Sequence, residues 1–121
     1  MATVTVELAH GLTIGDVKHT QAELREVTLA DIIAAQEESE RAVPTPDGYA
    51  LVSSPTMMGL HTLRRQIVRI GDYPGPLAVN EIKRLHRDDF EALQREADKL
   101  DKLTLGTVTD RGRDDGAPSG D

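Results

Sequence analysis

The chain has 121 residues, a formal net charge of −7 and no cysteine. That length allows one domain with one core, and the lack of cysteine excludes disulfides and thiolate metal sites. The acidic balance argues against a nucleic-acid partner, because neutralising phosphates requires a clustered excess of Lys and Arg. The apolar stretches are too short for a membrane span, so we expect a cytoplasmic protein without a membrane partner.

The first 25 residues predict a β-hairpin or a small meander. Apolar side chains occupy every second position over residues 4–8, which is typical of a half-buried strand. We expect turns at residues 9–11 and 15–16, and a second strand over residues 19–25. Because an isolated hairpin is barely stable in water, it should pack on a helix.

The first helix has a clear predicted start. Thr28 is a favoured N-cap, and Asp31 stands three positions later, where the acid of a capping box belongs. Val27 and Ile32 occupy the two positions of a hydrophobic staple. The acidic run at residues 37–40 opposes the helix dipole, so we expect fraying from about residue 38. The predicted inner stripe of this helix consists of Leu29, Ile32, Ile33 and Gln36.

Residues 42–55 are predicted to form a loop. They contain three prolines and Gly48, and proline disrupts both helices and internal strands. A loop of this length could be mobile or could bind a partner, and a plain connector fits the pattern equally well.

Residues 57–70 are predicted to form a helix with two stripes. The apolar seam consists of Leu60, Leu63, Ile67 and Ile70. A basic stripe beside it could dock an acidic partner, and the two methionines could form an adaptable contact surface. A solvated basic face with core-filling methionines would give the same pattern. The predicted partner-binding residues are Met57, Met58, His61, Arg64, Arg65 and Arg69.

Two further helices are predicted before the chain becomes polar. The glycines and prolines of residues 71–76 end the preceding helix, and Pro76 could open a short one. That short helix would carry Val79, Ile82 and Leu85. The last helix has an apolar stripe of Phe90, Leu93, Ala97 and Leu100. We place Phe90, the one phenylalanine, in the core.

The predicted fold class is α+β, a small N-terminal β-hairpin or meander packed on three to four α-helices. Residues 106–121 contain four glycines and no apolar periodicity. We therefore expect a single domain over residues 1–105 and a disordered C-terminal tail over residues 106–121.

The sequence shows no arrangement typical of catalysis or of cofactor binding. The four histidines, at positions 10, 19, 61 and 86, are not spaced as metal ligands. Likewise, no serine lies in a nucleophile elbow and no glycine-rich loop is placed to cradle a phosphate. The sequence therefore predicts a protein-binding protein that is not an enzyme and needs no cofactor or metal.

Two stretches resemble the tail assembly chaperones of Mu-like contractile-tailed phages. Residues 24–31 (LREVTLAD) place an extended segment ending in Leu-Arg-Glu shortly before an acid that opens a helix. Residues 82–93 (IKRLHRDDFEAL) place a short helix ending in Leu before Asp-Phe and a Leu three residues on. The order of parts agrees over residues 3–103. The matching positions that we interpret as fold determinants are Leu24, Arg25, Asp89 and Phe90.

The resemblance implies a non-catalytic helper that binds and solubilises the tape measure protein during tail assembly. Such a protein acts in the host cytoplasm and is not retained in the mature virion. We also expect a homo-oligomer, and the tail tube protein or a longer frameshifted form of the protein itself could be further partners. Two alternatives are a helix-turn-helix DNA-binding regulator built from residues 57–103 and an unassigned structural component of the virion.

Overall fold

The computed structural model describes the backbone of residues 2–112 and the side chains of residues 2–102. The predicted α+β class is confirmed, and this part of the chain holds more strands than expected. Its elements are β1 (Thr3–Ile14), β2 (Val17–Arg25), α1 (Leu29–Ser39), β3 (Glu40–Thr45), β4 (Gly48–Ser53), α2 (Pro55–Gln66), β5 (Ile67–Ile70), β6 (Tyr73–Pro74), α3 (Val79–Ile82) and α4 (Arg87–Gly112).

A four-stranded antiparallel sheet forms the centre of the fold. Its strand order is β1-β2-β5-β6, and β1 with β2 forms the N-terminal hairpin that the alternating pattern predicts. The turn expected at residues 15–16 is confirmed. The turn expected at residues 9–11 is wrong, because β1 continues through them and its pairing register shifts between Glu7 and Leu12.

Asp89, near the start of α4, stabilises this irregular part of β1. Its side chain accepts hydrogen bonds from the backbone N–H groups of Ala9 (2.7 Å), His10 (3.0 Å) and Gly11 (3.0 Å). Backbone donors at a bulge lack ladder partners, and a hydrogen bond to a charged acceptor contributes about 1.5–3 kcal/mol. One carboxylate, 1% exposed, therefore fixes both the path of β1 and the position of α4. This supports the interpretation of Asp89 as a fold determinant.

The core lies between the sheet and helices α2, α3 and α4, and α4 packs across β1. It is aliphatic, as the composition requires. Its buried members are Val6, Leu8, Leu12, Ala22, Leu24, Leu60, Leu63, Ile67, Ile70, Leu77, Ile82, Leu85, Leu93 and Ala97. None of the described residues of α1, β3 or β4 belongs to this cluster, although Ala35 of α1 is fully buried.

The predicted helix over residues 57–70 is wrong in its last turn. α2 ends at Gln66 and the chain continues directly as β5. Ile67 and Ile70 are buried as the apolar seam predicts, because an irregularity in the β2–β5 pairing places both on the same side of the sheet. The β-branched side chains of Ile67, Val68 and Ile70 favour a strand over a helix.

The predicted loop over residues 42–55 is also wrong. Most of it belongs to an antiparallel hairpin of β3 and β4, joined by a two-residue turn of Pro46 and Asp47. Gly48 follows the turn with a φ of 126°, which glycine adopts without strain. The hairpin is a separate two-stranded sheet. It tolerates Pro44 because no third strand requires an N–H group at that position.

The two C-terminal helices follow the predicted order. α3 begins at Val79, three residues later than the expected start at Pro76. In α4 the side chains of Leu93, Ala97 and Leu100 are buried as predicted. The core position expected for Phe90 is wrong, because Asp89 takes the inward position and Phe90 is only partly buried at the edge of the core.

α4 extends past the predicted domain boundary at residue 105 and reaches Gly112. Residues 113–121 of the predicted tail lie outside the described residues. Within the described part, no helix is both long enough and apolar enough to cross a bilayer.

We expect Asp89→Ala to lower the free energy of unfolding by about 3 kcal/mol or more, because three backbone N–H groups lose their acceptor. The exposed neighbour Asp88 offers a matched control, and Asp88→Ala should cost less than about 1 kcal/mol. Urea denaturation followed by circular dichroism measures both values. Similar losses in the two variants would contradict the structural role of Asp89.

Candidate partner-binding surface

The predicted basic stripe is not continuous in the structure. His61, Arg64 and Arg65 lie on α2, but Arg69 lies on β5, because the helix ends before it. His61 is buried, and Arg69 forms an ion pair with Glu23 (Nε to Oε1, 3.0 Å). The predicted methionines, Met57 and Met58, are half-buried in the first turn of α2, and Met57 packs against the core.

Glu38 of α1 occupies the basic face of α2. Arg64 Nη2 donates to both carboxylate oxygens of Glu38 (3.0 and 3.1 Å), and Arg65 Nη2 donates to Oε2. His61 Nδ1 lies 3.1 Å from Oε1 of the same carboxylate. The two arginines are therefore engaged within the protein, and they attach the C-terminal end of α1 to α2.

Burial and charge set the ionisation of this cluster. Burial lowers the pKa of His61, and the charge of Glu38 opposes that shift only in part. The neutral ring then accepts a hydrogen bond from Arg64 Nε at Nδ1 (3.2 Å). Burial also opposes the ionisation of Glu38, but the hydrogen bond from Arg65 and the charges of both arginines outweigh it, so the pKa of Glu38 is lowered. Glu38 is thus held as a carboxylate.

A second ion pair attaches the N-terminal end of α1. Arg25 donates two hydrogen bonds to the carboxylate of Asp31 (2.7 and 3.0 Å) and one to the carbonyl oxygen of Arg65 (2.8 Å). Asp31 also completes the predicted capping box with Thr28, which is confirmed. The hydrogen bond from Arg25 lowers the pKa of Asp31.

These contacts turn the apolar stripe of α1 toward solvent. The buried positions of α1 are Asp31, Ala35 and Ser39, whose small or polar side chains let α1 lie close to α2. The predicted inner stripe is therefore wrong. Leu29 is 71% exposed and Ile33 is 49% exposed. We call Leu29, Ile32 and Ile33 the α1 stripe.

A groove adjoins the α1 stripe where α1, α2 and α4 meet. It encloses about 370 Å³, and Ile32 belongs to both the stripe and the groove. Its other lining residues are Val27, Gly59, Thr62, Leu63, Gln66, Gln94, Ala97, Asp98 and Asp101. Stripe and groove together form one continuous surface with a large apolar component.

The β3–β4 hairpin adds a second apolar region to the same segment. Tyr49 is 80% exposed and Leu51 is 70% exposed, and nearly all residues of both strands are exposed. A two-stranded hairpin in water gains little from burial, so it depends on its attachment to the rest of the chain. Sequence reasoning missed this surface because the prolines predicted a loop.

Metal binding has one candidate group among the described residues, formed by His10, His86 and Asp88. The two imidazole rings are stacked, with centroids 3.5 Å apart and planes 7° from parallel. A metal ion must lie in the plane of each ring that ligates it, along the nitrogen lone pair. Stacked parallel rings cannot both meet this condition without rotating, so the group is not arranged in advance for a metal.

Acidification should destabilise the protein through Asp31 and Glu38. A carboxylate whose pKa is lower in the folded state adds stability at neutral pH that is lost as the pH falls through the folded pKa. We expect the free energy of unfolding to fall between about pH 5 and about pH 2. Asp31→Asn should be less stable at pH 7 but should lose less stability on acidification.

Denaturation at a series of pH values measures this effect. Glu37→Gln is the control, because it removes an exposed acid from the same helix and should keep the pH dependence of the unmodified protein. If Asp31→Asn loses as much stability on acidification as the unmodified chain, the ion pair with Arg25 does not contribute as argued.

Removing metal ions should leave the fold intact, because no described group is arranged for ligation. Thermal melts in the presence and absence of a strong chelator should coincide. A fall of several degrees in the melting temperature with chelator would show that a metal contributes to folding.

Comparison with known proteins identifies the family. The family model described as tail assembly protein gp41 matches residues 8–113. The probable tail assembly protein gp41 of Escherichia phage Mu is 39% identical over 113 residues, covering 89% of this chain and 78% of the relative. The Mu-like prophage FluMu protein gp41 of Haemophilus influenzae is 33% identical over 111 residues, covering 91% of this chain and 87% of the relative.

A longer relative shares the same region. The probable tail assembly protein FS-gp41 of Escherichia phage Mu is 38% identical over 108 residues, which cover 86% of this chain and 57% of that relative. No solved structure is significantly similar to the chain. The matches confirm the resemblance drawn from residues 24–31 and 82–93, and the chain belongs to the tail assembly protein gp41 family.

Proposed function

We propose that this protein is a phage tail assembly chaperone that binds and solubilises the tape measure protein, without catalysis. The observation that carries the proposal is the α1 stripe. A helix normally buries its apolar stripe against the core. Here the ion pairs of Asp31 and Glu38 hold the opposite side of α1 against the rest of the domain. Leu29 and Ile33 therefore remain exposed. Such a surface supports binding of another helix.

A tape measure protein is the partner that this surface suits. A long amphipathic helix aggregates if its apolar stripe stays in water, and packing against apolar side chains of another protein covers it. Few large apolar side chains are exposed on α1, which favours moderate affinity per copy and later release. Many copies along one elongated partner would then supply avidity.

Further partners belong to the same proposal. Phage Mu has two proteins that match this chain over 113 and 108 residues, and the chain covers only 57% of the second. Two lengths with a shared domain support a longer frameshifted form as a partner. We also propose self-association, contact with the tail tube protein, action in the host cytoplasm and absence from the mature virion.

The predicted basic residues keep a secondary role in this proposal. Arg64 and Arg65 form ion pairs with Glu38, so an acidic partner would have to compete with that carboxylate. The side chain of Arg69 is 62% exposed, which leaves it the most available of the predicted cations. We propose that these residues adjust the approach of the partner.

The geometry disfavours the helix-turn-helix alternative. Two strands separate α2 from α3, where that motif has a short turn, and α3 has only four residues. The first turn of α4 is acidic, and Asp89 is committed to the backbone of β1. An acidic helix start is a poor surface to place against phosphates.

A structural component of the virion differs from a chaperone in one measurable respect, which is its presence in purified particles.

The double variant Leu29→Glu/Ile33→Glu should keep its fold and lose the ability to solubilise the tape measure protein. Both side chains are exposed, and glutamate is a good helix former, so helical circular dichroism should be unchanged. The new charges would have to be desolvated against the apolar stripe of the partner. Co-expression with the tape measure protein of the same phage, followed by size-exclusion chromatography, measures the soluble complex.

Val17→Glu is the matched control, because Val17 is an exposed apolar residue at the turn between β1 and β2. It should leave the soluble complex intact. A double variant that folds and still solubilises the tape measure protein would remove the support for the α1 stripe. If the unmodified protein forms no complex, the chaperone proposal fails.

A further inference from the structure

Two acidic side chains line the groove between α1, α2 and α4. Asp98 and Asp101 both line it, and none of the described Lys or Arg residues does. Asp101 accepts a hydrogen bond from the backbone N–H of Val27 (3.0 Å), and Nε2 of Gln66 lies 3.4 Å from each of its oxygens. Both partners are neutral. The carboxylate of Asp98 is exposed, and no side-chain hydrogen bond or ion pair joins it to another described residue.

The inner wall of the groove is apolar. Leu63 and Ala97 are buried beneath it, and Ile32 connects it to the α1 stripe. Gly59 keeps the groove open, since glycine has no side chain to enter it. A Cβ atom at this position would meet only Nε2 of Gln94, at 3.1 Å. A glycine inside a helix lowers its stability by about 1 kcal/mol relative to alanine. The benefit of Gly59 in α2 is therefore the open space that it leaves in the groove.

We infer that this groove receives one turn of a partner's amphipathic helix, with an apolar side chain in the groove and a Lys or Arg beside it that pairs with Asp98. The inference deepens the proposed function and rests on it, because it specifies which helical segments of the partner are bound. Charge complementarity identifies the occupant. An acidic rim on a chain of net charge −7 attracts a cation, while the apolar wall excludes a purely polar ligand.

The pairing of charge with an apolar anchor would make the protein selective among amphipathic helices. A helix with acids beside its apolar stripe would bring like charges to Asp98 and Asp101. An ion pair at a rim changes encounter rate and register more than affinity, whereas a buried anchor governs dissociation. The groove therefore sets the register of binding, and the α1 stripe extends the contact.

The substitution Gly59→Leu should weaken partner binding without weakening the fold. The substitution replaces a helix-breaking residue with a helix former, and Gln94 can move aside because only the end of its flexible side chain is close. We expect unchanged or higher resistance to urea together with at least about tenfold weaker binding, a change of about 1.4 kcal/mol. Gly59→Ala fills less of the groove and should weaken binding less. A folding defect would lower stability and binding together.

The probe is a synthetic amphipathic peptide of about 20 residues, long enough to hold a helix. One version has lysines beside its leucine stripe and the other has glutamates at the same positions. Fluorescence anisotropy of labelled peptide measures both affinities. The unmodified protein should prefer the lysine peptide, and the preference should shrink with added salt.

Asp98→Lys tests the charge of the rim. It should weaken binding of the lysine peptide several-fold and strengthen binding of the glutamate peptide. Asp16→Lys is the matched control, because it makes the same change of charge at the exposed β1–β2 turn. If the two variants shift the peptide affinities equally, only the net charge of the protein matters, and the assigned role of Asp98 is overturned.

The outcomes of these experiments show separately whether the groove inference and the chaperone proposal hold. If Gly59→Leu and Asp98→Lys leave peptide and tape measure binding unchanged while Leu29→Glu/Ile33→Glu abolishes the tape measure complex, the groove inference is overturned and the chaperone proposal stands. If peptide binding depends on the groove but the tape measure protein is not kept soluble, the groove stands and the chaperone proposal fails. Failure of the unmodified protein to bind either peptide overturns the groove inference.

Discussion

Charged contacts at both ends of α1 set the orientation of this helix against the rest of the protein. Arg25 binds the carboxylate of Asp31 at one end of the helix, and Arg64 and Arg65 bind Glu38 near the other end. Desolvation offsets much of the attraction within a partly buried ion pair, but removing one partner leaves the other charge without its counter-charge and destabilises the fold. The ion pairs also fix orientation. Since both acids lie on the same side of α1, the opposite side, with Leu29 and Ile33, must face solvent.

The rest of the proposed surface follows from that orientation. The α1 stripe meets the groove at Ile32, and the β3–β4 hairpin continues directly from the end of α1. The hydrophobic cluster between the sheet and helices α2, α3 and α4 contains no described residue of this segment. The segment can therefore present apolar side chains without weakening that packing. Asp89 fixes that packing independently, through the backbone of β1. The part of the domain that holds the fold together is therefore separate from the surface that we propose for partner binding.

The elements that could be predicted from the sequence were those with local signals. The alternation in β1, the capping box of Thr28 and Asp31, and the buried leucines of α2 and α4 each follow from nearby residues. The errors arose where distant residues decide the structure. The periodicity of residues 57–70 fits a helix, yet pairing with β2 makes Ile67–Ile70 a strand. The apolar positions of α1 predicted an inner stripe, but Arg25 and the arginines of α2 select the other face. No local pattern reports those contacts.

Site-specific crosslinking can detect the proposed contact between the α1 stripe and the tape measure protein. The chain has no cysteine, so a single introduced thiol reports one position. Ile33→Cys and Val17→Cys can each carry a short photoactivatable crosslinker, and both positions are exposed. We predict that Ile33→Cys forms a covalent adduct with co-expressed tape measure protein and that Val17→Cys does not. Adducts from Val17→Cys but none from Ile33→Cys would show that the α1 stripe is not the contact surface.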